Sequence, residues 1–181
     1  MKYCMILGMR FEEVEAVTAI DLLRRAGVIV ETYGVGSQWI EGRSRIVLQT
    51  DKVLKNEGDI NPSDYGGILL PGGPGVEDLV NNDMVLKIVQ KFFNMGKLVY
   101  AICAAPKILD GAGILKNKNY TCYPGTEIKE GKRLDDKVVI DGNIITSQGV
   151  GTSLEASIKL IEIIVSKEES LKQAERVLYG G

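Results

Sequence analysis

Three short stretches of the chain combine residue types that can do covalent chemistry or hold a developing charge. In Ala101-Ile-Cys-Ala-Ala-Pro106, Cys103 follows an apolar run and precedes small residues and a proline. A nucleophile at a sharp strand-to-helix turn is held exposed, and small neighbours permit the tight backbone. The start of a helix favours the thiolate and lowers a cysteine pKa below its free value of ~8.5. Pro106 suits a first helical turn, where its missing N–H would have no partner. The pattern equally fits a cysteine that merely ends a buried strand, since cysteine is among the most buried residue types.

The second stretch, Leu70-Pro-Gly-Gly-Pro-Gly75, places Gly72 and Gly73 where backbone N–H groups can approach a substrate oxygen, as an oxyanion hole requires. Taken alone it reads as an ordinary glycine turn. The third, Phe11-Glu-Glu-Val-Glu15, crowds acids at the start of a helix. Dipole-complementing charge in the first turn accounts for Glu12 and Glu13. Glu15, one residue after Val14 and two before Val17, is placed to turn inward. There desolvation and a nearby thiolate would raise its pKa and let it donate a hydrogen bond.

What surrounds these stretches excludes several chemistries. The chain of 181 residues has no histidine, which removes imidazole bases, Cys-His and Ser-His-Asp hydrolysis, and histidine metal sites. Protease activity is rejected on that ground. Three cysteines, Cys4, Cys103 and Cys122, show no metal-ligand spacing and no disulfide framework. A net charge of −2 without a basic stripe argues against nucleic acid. The apolar runs are far shorter than the roughly 18 residues that cross a bilayer, and the amino terminus lacks a signal-peptide apolar core. The expectation is a cytoplasmic, reduced protein of one domain spanning residues 1–181, with neither cofactor nor metal.

The elements that must position these residues follow from periodicity. Strands are predicted over Lys2–Leu7, Val28–Val35, Gly66–Pro71 and Leu98–Ile102. Helices are predicted over Glu12–Ala26, with Val14, Val17, Ile20, Leu22 and Leu23 as apolar face, then from Asp83 to Met95 and from Ala104 to Gly111. Trp39–Gln49 reads as a small hairpin around Gly42, Leu54–Asp64 as polar turns, and Asp141-Gly142 as the turn of a second hairpin. Thr152-Ser-Leu-Glu155 matches a capping box opening a helix to about Ser166, and a polar helix follows over Glu168–Leu178. Strand–helix alternation throughout argues for parallel β-α-β units in one α/β sandwich, whose ligands bind beyond the carboxyl ends of strands.

In order and spacing, F-E-E-V-E-A-V, L-L-P-G-G-P-G, A-I-C-A-A-P-K-I-L and I-T-S-Q-G-V-G-T-S-L-E-A resemble the ThiJ/PfpI superfamily, which is class I glutamine amidotransferase-like. The resemblance covers nearly the whole chain and is nearest the protein-deglycase branch. It implies a flavodoxin-like three-layer sandwich with a mostly parallel central sheet, a nucleophile elbow, and a homodimer. It also implies that Cys103 is a redox-sensitive nucleophile, that Glu15 is the protonated acid bonded to it, and that Gly73 and Ala104 donate backbone N–H groups to an oxyanion. Two positions depart from the family. Ala104 stands where protease-like relatives carry histidine, and Tyr123 in T-C-Y-P-G stands where the deglycase branch carries one. A phenol, with an ordinary pKa near ~10, is a poor general base at neutral pH; Tyr123 is either a proton-passing group or a turn aromatic packed beside Pro124. Two functions follow from the resemblance. The first is glyoxalase or deglycase chemistry on a small reactive carbonyl such as methylglyoxal, or on its early adducts. The second is a non-enzymatic response to an oxidant, as an oxidative-stress sensor or protective chaperone working through Cys103 oxidation.

Overall fold

The computed structural model describes residues 2–180. In chain order the elements are β1 (Lys2–Leu7), α1 (Glu13–Arg25), β2 (Ile29–Val35), β3 (Trp39–Glu41), β4 (Val47–Gln49), β5 (Lys52–Leu54) and β6 (Gly67–Leu70). Then come α2 (Val76–Val80), α3 (Asp83–Asn94), β7 (Leu98–Ile102), α4 (Pro106–Gly111), β8 (Asn119–Tyr120) and β9 (Lys132–Arg133). The chain closes with β10 (Val138–Asp141), β11 (Ile144–Ser147), α5 (Ser153–Ile164) and α6 (Lys167–Arg176).

Seven strands form one sheet in the order β10-β11-β7-β6-β1-β2-β5. Every neighbouring pair is parallel except the β10–β11 hairpin. The central strands are apolar on both faces, as a sheet covered by helices on each side requires. Cys4 and Ile6 of β1, with Val99 and Ala101 of β7, face a core shared with Val85, Ile88, Val89 and Phe92 of α3 and with Ile108 and Leu109 of α4. The alternate residues Tyr3, Met5, Leu7, Tyr100 and Ile102 face a second core built with α1 and α5. At about 1.5–3 kcal/mol per fully buried large side chain, these two cores hold the three layers together. The result is the flavodoxin-like sandwich that the alternation and the resemblance imply.

Several local expectations are corrected. Val14 and Val17 are not core residues: they are 47% and 44% exposed. The buried face of α1 instead runs through Glu15, Ala16, Ala19, Leu22 and Leu23, because small residues let the helix lie close to the sheet and α5. The capping box at Thr152 does not form. Thr152 Oγ1 lies 2.6 Å from Ser147 Oγ and accepts from the Gly149 N–H at 3.1 Å, while Glu155 pairs with Lys137 at 3.2 Å. The threonine therefore ties the end of β11 to the start of α5 instead of capping the helix. The helix after Cys103 begins at Pro106. The edge strand β5, the one-turn helix α2 and the two-residue strands β8 and β9 are too short to leave a periodic signal. The hairpin around Gly42 is present, as is the Asn82 cap, whose side chain accepts from the Met84 and Val85 N–H groups.

The order of strands brings the three chemical stretches together. β7, β6 and β1 are adjacent, so the segments after Ile102, Leu70 and Leu7 share one edge of the sheet. Gly75 locks two of these segments: a Cβ there would sit 1.8 Å from the Met9 carbonyl oxygen. Its φ of −68° is open to any residue, so the constraint is steric alone. Gly75→Ala is expected to destabilise the fold by about 1–3 kcal/mol or more, read as a lowered urea midpoint with unchanged m-value. An unchanged midpoint would show that the two segments are not clamped there.

Candidate active site

Cys103 occupies the first residue after β7 with φ +65°, a left-handed conformation that costs a non-glycine residue on the order of 1–3 kcal/mol. Neighbouring strands and loops hold it there. Its N–H donates to the Ser147 carbonyl at 2.9 Å, and its own carbonyl accepts from the Tyr123 N–H at 2.8 Å. The next backbone N–H, of Ala104, and that of Gly73 from the adjacent turn both face the Cys103 sulfur and favour its thiolate. The two groups assigned to an oxyanion from sequence thus converge on one sulfur atom.

Glu15 reaches the same point from α1. It is 1% exposed, and its Oε2 accepts from the Gly72 N–H at 2.8 Å. Oε1 is buried and makes no conventional hydrogen bond; the other partner of the carboxyl group is the Cys103 side chain. Burial is the largest influence on Glu15 and raises its pKa from an ordinary 4.5 to about 7. The Gly72 N–H and Cys103 act against that rise, the charge of nearby Glu12 adds to it, and Arg43 opposes it.

The thiol is not depressed, as a helix amino terminus alone would have it. Burial first, then the charge of Glu15 and the hydrogen bond with it, push Cys103 up to about 12. The N–H groups of Ala104 and Gly73 pull the other way without prevailing. α4 has only six residues and opens with Pro106, which has no N–H, so its dipole gives the sulfur little. Between about 7 and about 12 the pair therefore holds one proton between sulfur and carboxyl. The arrangement is a thiol next to its own base.

The sulfur opens into a cavity of about 510 Å³ lined by Gly73, Pro74, Ala104, Tyr123, Pro124 and the segment 148–152. Tyr123 is 57% exposed, and its ring stands beside the thiol across Gly149: a Cβ there would lie 3.5 Å from Tyr123 Cδ2 and 3.7 Å from Cys103 Sγ. Cys4 and Cys122, by contrast, are buried in the core.

Two residues do more than sequence reasoning allows. Glu12 and Glu13 are buried and do not serve as simple first-turn charges. Glu13 Oε1 accepts the Ser44 N–H at 2.7 Å, and Glu12 Oε2 pairs with Arg43 Nη1 at 3.2 Å. Both anchor the loop between β3 and β4, and through it Arg43 becomes part of the cavity wall. No local pattern signals Arg43, since its place depends on how the hairpin packs against a distant helix.

The raised Glu15 pKa has a stability consequence with a fixed sign. The folded state holds the proton more tightly than the unfolded state, so Glu15's contribution is complete below about 4.5 and is lost as pH rises through about 7. A shift of that size corresponds to on the order of 3 kcal/mol. Glu15→Gln removes the penalty and is expected to stabilise the protein relative to wild type by about that much more at pH 8 than at pH 4.5, by urea titration. The same wild-type-to-variant difference at both pH values would show that Glu15 does not carry a raised pKa.

Comparison with known proteins finds relatives over most of the chain. The chain is 38% identical over 167 residues to protein DJ-1 homolog B of Arabidopsis thaliana, an alignment covering 89% of this chain and 37% of that longer protein. It is 32% identical to a protein of Caenorhabditis elegans named glutathione-independent glyoxalase DJR-1.2, over 88% of this chain and 86% of that one. The crystal structure of Drosophila melanogaster DJ-1beta superposes with a TM-score of 0.92 at 31% identity, covering 99% of this chain and 98% of the other. The DJ-1/PfpI family model matches residues 1–163, and the chain belongs to that family.

Proposed function

We propose that the protein acts on reactive carbonyl compounds such as methylglyoxal, or on their early adducts with amines and thiols, through Cys103 and without a cofactor. The observation that carries this reading is the contact between the Cys103 side chain and a buried carboxyl group with a pKa of about 7. A general base serves best when its pKa lies near the operating pH. In the proposed reaction, ionised Glu15 takes the S–H proton as sulfur adds to the aldehyde carbon. The carbonyl oxygen becomes an alkoxide facing the N–H groups of Gly73 and Ala104, then takes the proton from Glu15 to give a hemithioacetal and restore the carboxylate. Glu15 removes the C–H proton from the carbon that was the aldehyde and returns it to the neighbouring carbon, while the hydroxyl proton passes to the oxygen of that neighbour, leaving a thioester of a 2-hydroxy acid. Water hydrolyses the thioester so formed and releases a 2-hydroxy acid and the free thiol. The sum is dicarbonyl plus water to hydroxy acid, with no external oxidant. A relative named as a glyoxalase supports this assignment.

A second reading rests on Glu15 Oε1, buried without a conventional partner. With its raised pKa Glu15 can keep a proton on that oxygen and donate it to an oxygen on an oxidised Cys103, which favours a sulfinate and an oxidative-stress role. Peroxide titration followed by mass is expected to stop at the sulfinate in wild type. In Glu15→Asp, which withdraws the carboxyl by one methylene, oxidation should proceed to the sulfonate. Identical end points would remove the support for this second role. We also propose a homodimer in the cytoplasm. Val14 and Val17 on α1, with Ile46 and Val47 on the adjoining hairpin, are exposed apolar side chains in want of cover, and all three cysteines are free thiols.

Methylglyoxal turnover is expected to require Cys103 and to rise through a midpoint of about pH 7 as Glu15 ionises. Glu15→Gln should lower kcat/KM by about 10²–10⁴, whereas Tyr123→Phe should cost less than about tenfold, the scale of one neutral hydrogen bond. A profile that climbs only in the phenol range and collapses in Tyr123→Phe would move the base role from Glu15 to Tyr123. No Cys103-dependent turnover in any variant would end the enzymatic reading.

A further inference from the structure

The cavity in front of Cys103 is larger than its smallest candidate substrate. At about 30 Å³ of liquid volume per water, 510 Å³ is several times what a three-carbon dicarbonyl fills. Its wall carries three charged side chains, Arg43, Glu12 and Glu77. The Arg43 side chain lines it, anchored by the Arg43 N–H to the Phe11 carbonyl at 2.9 Å and by Nη1 to Glu12 Oε2 at 3.2 Å. The guanidinium is half exposed and spends one of its five N–H donors on Glu12. The other basic side chain at the rim, Lys107, is occupied by Glu77 at 2.5 Å and belongs to an adjoining lobe.

We infer that Arg43 is the anion-recognising end of this cavity, so that the preferred substrate is a 2-oxoaldehyde carrying a carboxylate or phosphate at the end remote from the aldehyde. The inference rests on the carbonyl chemistry proposed for Cys103 and names its substrate class. An arginine presents a planar fork that pairs with such oxyanions through two parallel N–H groups, which a lysine cannot match. Glu12 fixes one edge of the fork and keeps it from solvent-driven wandering, at the cost of competing with the incoming anion. The aldehyde end then lies at the sulfur and the anion at the guanidinium, and an uncharged dicarbonyl leaves the arginine edge unpaired.

Alkylation tests this without depending on turnover. Iodoacetate and iodoacetamide deliver similar groups to a thiol and differ in charge. The second-order rate for each at Cys103, read by peptide mass spectrometry, is divided by its rate with 2-mercaptoethanol. The normalised iodoacetate-to-iodoacetamide ratio is expected to exceed one by roughly tenfold, the size of a charged hydrogen bond. It should fall toward one in Arg43→Gln, stay partly raised in Arg43→Lys, and rise above wild type in Glu12→Gln, where the competing carboxylate is gone. Opposite movements in Arg43→Gln and Glu12→Gln are not what loss of a structural ion pair would give, since either change breaks the same pair. In turnover, kcat/KM for 4,5-dioxopentanoate and for a phosphorylated 2-oxoaldehyde, each relative to methylglyoxal, separates carboxylate from phosphate. A ratio near one in wild type, or one that Arg43→Gln leaves unchanged, overturns the anion assignment while the nucleophile reading stands. A Cys103 that neither reagent labels faster than Cys4 overturns the nucleophile and this inference with it.

Discussion

The close contact of the Cys103 thiol with the Glu15 carboxyl depends on a missing side chain. A Cβ at Gly72 would lie 2.6 Å from Cys103 Cβ and 2.8 Å from Glu15 Oε2. Only glycine lets the turn after β6 pass between the elbow of β7 and the inner face of α1. The same residue then donates its N–H to Glu15, so the turn both makes room for the acid and orients it. Gly73 completes the arrangement at φ +102°, where a Cβ would lie 2.5 Å from the Arg10 carbonyl oxygen and where its N–H is aimed at the sulfur. Three parallel strands supply the rigid base that makes such tolerances reproducible, because strands pack with little freedom and the loops at their ends inherit it.

Holding these groups together is unfavourable for folding. Cys103 sits in a left-handed conformation, and Glu15 loses water without gaining a full set of hydrogen bonds. The two cores on either face of the sheet offset this, since the strained residues lie at the ends of strands whose side chains are almost wholly buried. Strain located at strand ends is tolerable because the cores below remain continuous. It also leaves the proton of the pair free to move, since neither partner is satisfied enough to trap it.

Much of this was legible in the sequence, for reasons that differ by residue. The sandwich follows from alternation of apolar strands with helices, whereas the adjacency of β1 and β6, with β2 to β5 between them in the chain, left no local signal. Cys103 and the Gly72-Gly73 turn stand at strand ends and Glu15 lies at the start of the helix after β1, which made them candidates, while their roles came from the resemblance to the ThiJ/PfpI superfamily. The exposure of Val14 and Val17 was not legible, because apolar residues at helical spacing read as core whether they meet this chain or another surface. The role of Thr152 was not legible either: its capping pattern is local, while the competing partners, the Ser147 hydroxyl and the Gly149 N–H, are set by how β11 meets α5. Arg43 was invisible for the same reason, carried into the cavity by a hairpin whose register reveals nothing of what it packs on.

The lack of histidine decides which reactions such a pair can serve. A hydrolase of the Cys-His kind separates its duties, with an imidazole that activates the nucleophile and then protonates a departing amine. In the proposed reaction one carboxyl group beside one thiol carries the proton transfer, and the pair holds a single proton across the neutral range. Such a device is poorly matched to breaking the C–N bond of an amide, which needs a separate acid at the moment the base has been used. It is well matched to moving a proton between adjacent carbons of one bound molecule, where the proton taken is the proton returned. The isomerising step of a hemithioacetal has that character, and so a cysteine paired only with glutamate points toward rearrangement of a carbonyl compound and away from cleavage of an amide.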